Sequence, residues 1–289
     1  MTRRRSELPH NCISSPARAN DETSLLVRWE ELPGLELLHG DFRNHAFLPH
    51  WHDAYMLAAS AGGAQRVRLR GAEHVVTSDV LITLNPGELH DGEAATPAEG
   101  WRFRALYLSE EFVCDVLRGD STYRNPVLVA PLQPSSLFAD SFLNLHHALR
   151  LAPSRLERES LLTCALPRLF STAVANASPP KLVGRSPGLE RAREYISQEW
   201  QTAISLESLA TLAGLSRYYF LRSFSAAYGL PPHAYQLQLR TRHAKELLFA
   251  GMAPSEVALA TGFYDQAHLT NTLRRYTGAT PGRLQLTRQ

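Results

Sequence analysis

The chain has 289 residues, with 30 Lys/Arg against 28 Asp/Glu and a formal net charge of +2, enough length for two ordinary domains, each with its own core. Three cysteines, Cys12, Cys114 and Cys164, are too few and too scattered for a disulfide framework or a zinc knuckle, which fits packing roles in a reducing compartment. No apolar run approaches the ~20 residues that span a bilayer, and none follows the opening arginines, so the expectation is a soluble cytoplasmic protein.

Residues 1–22 are polar and irregular, with Pro9 and Pro16 among several serines, and read as a mobile arm. From about residue 23 the pattern changes to short runs of period two. Gln65 to Arg70 alternates cleanly, so Val67 and Leu69 leave one face of a strand and three arginines the other. Gly71 turns the chain and His74-Val75-Val76 begins the return. Val80 to Leu84 is an apolar strand stopped by Asn85-Pro86-Gly87, and Trp101 to Leu108 is a last strand with large aromatics on alternate positions. Many short strands punctuated by Gly and Pro predict a small antiparallel barrel or sandwich.

After Ser109 helical spacing takes over. Ser135 to Leu151 places Leu137, Phe138, Phe142, Leu145, Ala148 and Leu149 on one face, and Glu157 to Val174 does the same with Leu161, Leu162, Ala165, Leu169 and Phe170. That is more apolar surface than one barrel needs for cover. Residues 23–175 therefore form the first domain, and residues 176–184, with Pro179 and Pro180, form a stiff polar linker. The remainder, 185–289, reads as all helical, giving an α+β chain overall: a β-barrel with flanking helices, then an all-α domain.

That second half opens with a support helix, Leu189 to Trp200, and then repeats one plan at 205–228 and 254–277. In the first unit Leu206, Leu209, Ala210 and Ala213 make an apolar face, Gly214 ends the helix, Ser216 caps the next, and Phe220 and Phe224 turn inward. Arg217, Tyr218, Leu221 and Arg222 are left outside, the side that a helix-turn-helix offers to the major groove. In the second, Val257, Ala258 and Ala260 pack inward, Gly262 turns, Asp265 caps, and Gln266, Ala267, Thr270 and Asn271 look outward. Pro232 to Phe249 joins the units as one helix, with Tyr235, Leu239, Ala244, Leu247 and Leu248 available to its inner side. Its length of roughly 25 Å at ~1.5 Å per residue approaches the ~34 Å repeat of DNA, so two readers could enter successive groove faces. Charge divides accordingly: residues 1–183 carry a net of −3 and residues 184–289 a net of +5, nearly all of it arginine.

The tandem units, closed by Gly262-Phe263, Gln266, His268-Leu269, Arg274-Arg275-Tyr276, Gly278 and Thr280-Pro281, resemble the DNA-binding domain of AraC/XylS-type transcription regulators. The pattern departs from that family at Leu273, usually aromatic, and at Asn271, often basic. More loosely, Pro49-His50-Trp51-His52 followed by Asn85-Pro86-Gly87-Glu88-Leu89-His90 resembles the cupin-like effector domain that precedes it. The resemblance implies a sequence-specific regulator, more often an activator than a repressor, working as a homodimer through helices of its first domain, with double-stranded DNA, a small-molecule effector and RNA polymerase as partners.

His50 and His52 sit two apart in a strand and leave the same face, and His90 is the usual third member in cupins. Three such side chains suit zinc or iron. They equally suit hydrogen bonding to a small polar effector, or satisfaction inside the barrel. Metal-binding cupins supply a carboxylate a few residues on, where this chain has Tyr55 and Met56; Glu88 shares a face with His90 only if the strand resumes at once. Arg66, Arg68, Arg102 and Arg104 alternate with apolar residues, and one of them inside the barrel mouth would select an anionic or zwitterionic effector. The candidate effector residues are thus His50, His52, Glu88, His90, Arg68 and Arg104. No cofactor is required, a divalent metal at the histidines being the exception to test. Arg222 is the first choice for a guanine contact and Gln266 for an adenine contact, with Arg240, Arg242 and Arg274 left to phosphate or solvent. No catalytic constellation accompanies the histidines, so the chain reads as a non-enzyme. The competing reading is a metal-dependent cupin enzyme, a dioxygenase or isomerase, carrying a DNA-binding tail.

Overall fold

Period-two alternation builds the first half of the molecule. In the computed structural model, which describes residues 22–117, 126–171 and 186–287, strands follow one another as β1 (Thr23–Trp29), β2 (Leu35–Phe42), β3 (Ala46–His50), β4 (Ala54–Gly63), β5 (Gln65–Leu69), β6 (Ala72–Val76), β7 (Val80–Leu84), β8 (His90–Ala94) and β9 (Trp101–Ser109). Two strands come from farther on, β10 (Leu132–Pro134) and β11 (Leu284–Thr287). One sheet has the order β10-β7-β4-β9-β2-β1-β11 and faces a smaller one ordered β3-β8-β5-β6.

The pleat of β9 sorts its residues between two cores. Trp101, Phe103 and Ala105 enter the space between the sheets with Phe47, Val67 and Leu84. Leu106 and Leu108 point the other way, where helices α1 (Glu110–Val116), α2 (Ser136–Leu151) and α3 (Arg155–Ser171) cover the larger sheet through Val113, Phe142, Leu149, Leu166 and Phe170. The surplus of apolar helix surface is explained in large part by this second face, buried within the same chain. Leu137 nevertheless stays 63% exposed. Cys164 is exposed as well, so it does not pack as expected, while Cys114 is half-buried. The arm, apart from Glu22, and the linker at 176–184 lie outside the described residues.

The second half is helical: α4 (Pro187–Gln198), α5 (Leu206–Ala213), α6 (Arg217–Tyr228), α7 (Pro232–Phe249), α8 (Pro254–Ala260) and α9 (Gln266–Thr277). Local chemistry sets the ends. Ser205, Ser216 and Asp265 each accept a hydrogen bond from a backbone N–H in the first turn, and Gly214 closes α5 in the left-handed conformation at φ 70°. Leu209, Phe220, Phe224 and Leu239 share one core, and Val257, Phe263 and Leu269 another. Leu206 and Ala260, expected inside, are exposed, and Leu247 and Leu248 are half-buried.

One pairing has no signal in the sequence. After the short turn at Pro281–Arg283, β11 runs parallel to β1 with Leu26 opposite Leu284 and Arg28 opposite Leu286. The end of the reader half thus caps an edge of the sensor sheet that would otherwise present unpaired backbone groups.

Candidate DNA-reading surface and effector cleft

The reading helices are α6 and α9, each started by its side-chain cap. Arg217, Tyr218, Leu221 and Arg222 are exposed on α6, as are Gln266, Ala267 and Asn271 on α9, and Thr270 is half-buried. Arg222 lies over the Tyr218 ring at 5.7 Å and donates to its hydroxyl at 3.3 Å. Arg217 is held 3.8 Å from Glu207 of α5. Two further exposed aromatics, Tyr219 and Tyr264, stand on the same two units and were missed because neither falls at a reading position of the motif. Leu273 is fully buried rather than facing out.

Three arginines assigned to phosphate or solvent are engaged within the molecule instead. Arg240 donates to the carbonyls of Trp200, Gly262, Gln201 and Thr202 at 2.6–3.1 Å, clamping the loop after α4 to the turn of the second unit. Arg242 pairs with Asp53, and Arg274 with Glu22 at 2.7 Å. A planar guanidinium satisfies several carbonyls at once, which spacing alone does not reveal.

Between the halves lies a cleft of about 520 Å³. Its sensor wall is formed by Leu26, Arg28, Glu36, His50, Trp51, His52 and Tyr107, and its other wall by Gln238, Thr241, Arg242 and Lys245 of α7 with Tyr276 of α9. Polar residues at 238, 241 or 242, and 245 recur at helical spacing. That stripe was legible in the sequence but was passed over in favour of the apolar one. Lys245 Nζ sits 2.9 Å from Glu36, Arg28 bridges Glu36 to Glu246, and Gln238 Nε2 donates to the Trp51 carbonyl at 2.8 Å. Burial opposes the charge on Glu36, but Lys245 and Arg28 outweigh it and hold its carboxyl below the ordinary range. Two buried polar atoms of cleft residues have no hydrogen-bond partner: Gln238 Oε1 and His52 Nε2.

His50 and His52 reach the floor of this cleft and meet His90, which lines the barrel side behind them. One potential ligand nitrogen from each of His50, His52 and His90 lies within 4.8 Å of the others, and the rings of His50 and His90 are centred 4.4 Å apart. Burial, and then the neighbouring rings, push His50 and His52 well below the usual histidine range; burial lowers His90 too. Tyr107 lies against His52 at 4.5 Å, its hydroxyl raised by burial and then by Glu36.

The remaining effector candidates lie elsewhere. Arg68 is on the outer face of β5, its side chain 61% exposed beside Glu73 and Asp91. Arg104 shares the pleat of Leu106 and Leu108, so it points toward the helix-covered face and donates to Gly40 O and Asp41. Glu88 turns from His90 to Arg70 and to the backbone and side chain of Asn85, where it fixes the turn before β8. Each satisfies a local partner in preference to facing the barrel mouth. The pocket between the sheets, lined by Phe47, Met56, Val67, Trp101 and Phe103, holds only about 20 Å³, because aromatic and branched side chains fill it.

A sheet-built ligand domain docked on a double helix-turn-helix reader defines a ligand-responsive transcription regulator. The AraC-like ligand binding domain model matches residues 32–166 and a helix-turn-helix domain model matches residues 209–286. The chain belongs to the AraC family of transcription regulators, with an effector-binding domain and a helix-turn-helix DNA-binding domain. It is 25% identical over 227 residues to the uncharacterized HTH-type transcriptional regulator YbfI of Bacillus subtilis, covering 77% of this chain and 81% of that protein. It is 27% identical to the virulence regulon transcriptional activator VirF of Yersinia enterocolitica, covering 60% of this chain and 64% of VirF. The fold is similar to that of an apo ToxT variant from Vibrio cholerae, with a TM-score of 0.55 at 12% identity, covering 86% of this chain and 96% of that one. Among the described residues no helix is long and apolar enough to cross a membrane.

Proposed function

We propose that the effector of this regulator binds in the cleft between the sensor sheet and α7, and that α6 and α9 read the operator. The observation that carries the effector reading is the pair of orphaned buried atoms, Gln238 Oε1 and His52 Nε2, on opposite walls of one cleft. Leaving such groups unpaired costs about 1–3 kcal/mol each, a cost that a ligand removes if it donates an N–H or O–H to Gln238 Oε1 and hydrogen-bonds His52 Nε2. Leu26, Trp51, Leu239 and Tyr276 supply apolar surface beside Arg242 and Lys245, so the lining suits an apolar body with a polar or anionic head. The unsaturated fatty acid bound in one ToxT structure is a molecule of that kind.

Regulation follows from unequal affinity for two arrangements of the halves. An effector head competing for Arg242 and Lys245 would loosen their pairs with Asp53 and Glu36, changing how the readers are held. Calorimetry of small carboxylates, fatty acids and sugars against the full chain tests this: saturable binding that weakens in Lys245→Met and Gln238→Leu supports the cleft, and undiminished binding in both refutes it.

The finer roles continue the family pattern. The protein acts as an activator in the cytoplasm, contacting RNA polymerase, and catalyses no reaction; support comes from relatives that are transcription regulators. It dimerises through the apolar groove between α2 and α3, about 580 Å³ and lined by Leu137, Phe138, Leu161 and Leu169. Equilibrium sedimentation at tens of micromolar with Leu137→Glu as control tests the dimer, and transcription from a selected operator tests activation.

A further inference from the structure

The three histidines at and behind the cleft floor have a further property that effector binding does not require. His50 Nδ1 lies 2.6 Å from the Leu48 carbonyl and His90 Nδ1 2.9 Å from the Glu88 carbonyl. A carbonyl only accepts, so in the neutral rings both Nδ1 atoms carry the proton and both Nε2 atoms keep a lone pair. Those backbone bonds also fix the two rings in orientation, as the outer shell of a metal site does. The third nitrogen is supplied by His52, whose Nε2 is buried without a partner and, with an ion present, binds it in place of a direct hydrogen bond to the effector. His50 ends β3 opposite His90, which begins β8, while His52 stands not in the strand as expected but in the short link between β3 and β4.

We propose that His50, His52 and His90 bind a divalent transition-metal ion of the zinc class, leaving one coordination position open to the interdomain cleft. In a tetrahedral site, ligand nitrogens ~2.0–2.1 Å from the ion stand about 3.4 Å apart; one nitrogen of each ring already lies within 4.8 Å of the others, so binding draws the set together by on the order of 1 Å. The nearby acids have other partners: Asp53 pairs with Arg242, Asp91 accepts from the Arg68 backbone N–H, and Glu88 is committed to Arg70 and Asn85, so the donor set is three imidazoles with no carboxylate. The ion keeps its full double charge and favours an anionic or lone-pair donor as fourth ligand. His52 lines the cleft alone, His50 lines both the cleft and the barrel side, and His90 lines the barrel side; the barrel side is nearly filled, which leaves the open position to the cleft. That last statement rests on the cleft being the effector site; binding of the ion does not.

The test uses the untagged full chain, stripped with chelator and titrated with Zn²⁺, with Co²⁺ as a spectroscopic probe. Expected are about one ion per chain, its loss in His52→Gln and in His90→Gln, and visible cobalt bands of a four- or five-coordinate nitrogen-rich site that shift on adding thiocyanate. X-ray absorption of the wild-type zinc form counts imidazole ligands without any variant, which keeps the test valid if a substitution unfolds the barrel. Failure of the stripped chain to take up zinc, uptake unchanged in both variants, or fewer than three imidazoles overturns the site. Uptake with cobalt bands indifferent to thiocyanate overturns the open position alone and leaves the cleft reading to the calorimetry of organic ligands.

Discussion

Lys245 Nζ on α7 stands 2.9 Å from Glu36 on β2, so the helix that joins the two reading units is tied by charge to the sheet of the sensor. Arg28 extends the link, reaching Glu36 within its own domain and Glu246 at 2.7 Å across the boundary while its guanidinium lies 4.2 Å over the Phe249 ring. Removing Lys245 leaves Glu36 with one cationic partner in a nearly closed site. Lys245→Met is expected to destabilise the apo chain by about 1–3 kcal/mol, read as a lower thermal midpoint. An unchanged midpoint would mean that the pair is solvated in solution.

Acid should undo the same contact. The folded carboxyl of Glu36 titrates below its ordinary value, so as the pH falls the unfolded chain takes the proton first. Its stabilisation is therefore complete at neutral pH and is lost from the ordinary carboxylate range downward through the lowered folded value. Urea melts at a series of acid pH values should show a shallower pH dependence for Glu36→Gln than for the parent. Identical slopes would assign the acid sensitivity to other groups.

Base reading is tested at two positions. Arg222→Ala and Gln266→Ala are each expected to cost about 1–3 kcal/mol at one operator position and to relax specificity there. Competition binding against single-base operator variants measures it. Parental ranking and affinity in either variant would remove that residue from the reading surface.

Arg240 carries a different expectation from the other cations of the reader half. Its guanidinium bonds four carbonyls around Trp200 and Gly262, and Arg240→Lys cannot reproduce that fork. Both Arg240→Lys and Arg240→Ala should lower stability by about 1–3 kcal/mol and leave the salt dependence of DNA binding unchanged. A reduced salt slope would place Arg240 on phosphate after all.

The strand at the end of the chain should matter to the sensor. Ending the chain at Arg283 removes one of the two partners of β1, whose Leu26 to Trp29 pair with Leu284 to Thr287. Amide exchange in β1 is expected to rise while α5 and α6, distant from that edge, keep their protection. Equal protection of β1 with and without β11 would deny the strand a coupling role.

Much of this molecule is written locally. Ser216 and Asp265 cap reading helices, Gly214 enters a left-handed turn, and Phe220 and Phe224 recur one turn apart; each acts within a few residues of itself, so the double helix-turn-helix was legible from spacing. Val67 and Leu69 alternating with arginines likewise marked a strand and both its faces. Spacing paired only His50 with His52; His90 was joined to them by the resemblance to cupin-like domains.

What spacing does not carry is which face of an element meets which distant partner. The pleat that buries Phe103 between the sheets turns Arg104 toward α2, and Glu88 spends its charge on Arg70. The cleft exists only because α7 docks against β2 and the barrel mouth, bringing Lys245 to Glu36 across 209 positions of chain. Helix caps and periodicity are properties of a short window of backbone and were determined by the sequence alone; the effector cleft, the commitment of Arg240, Arg242 and Arg274, and the pairing of β11 with β1 depend on long-range packing, which the tertiary structure decided.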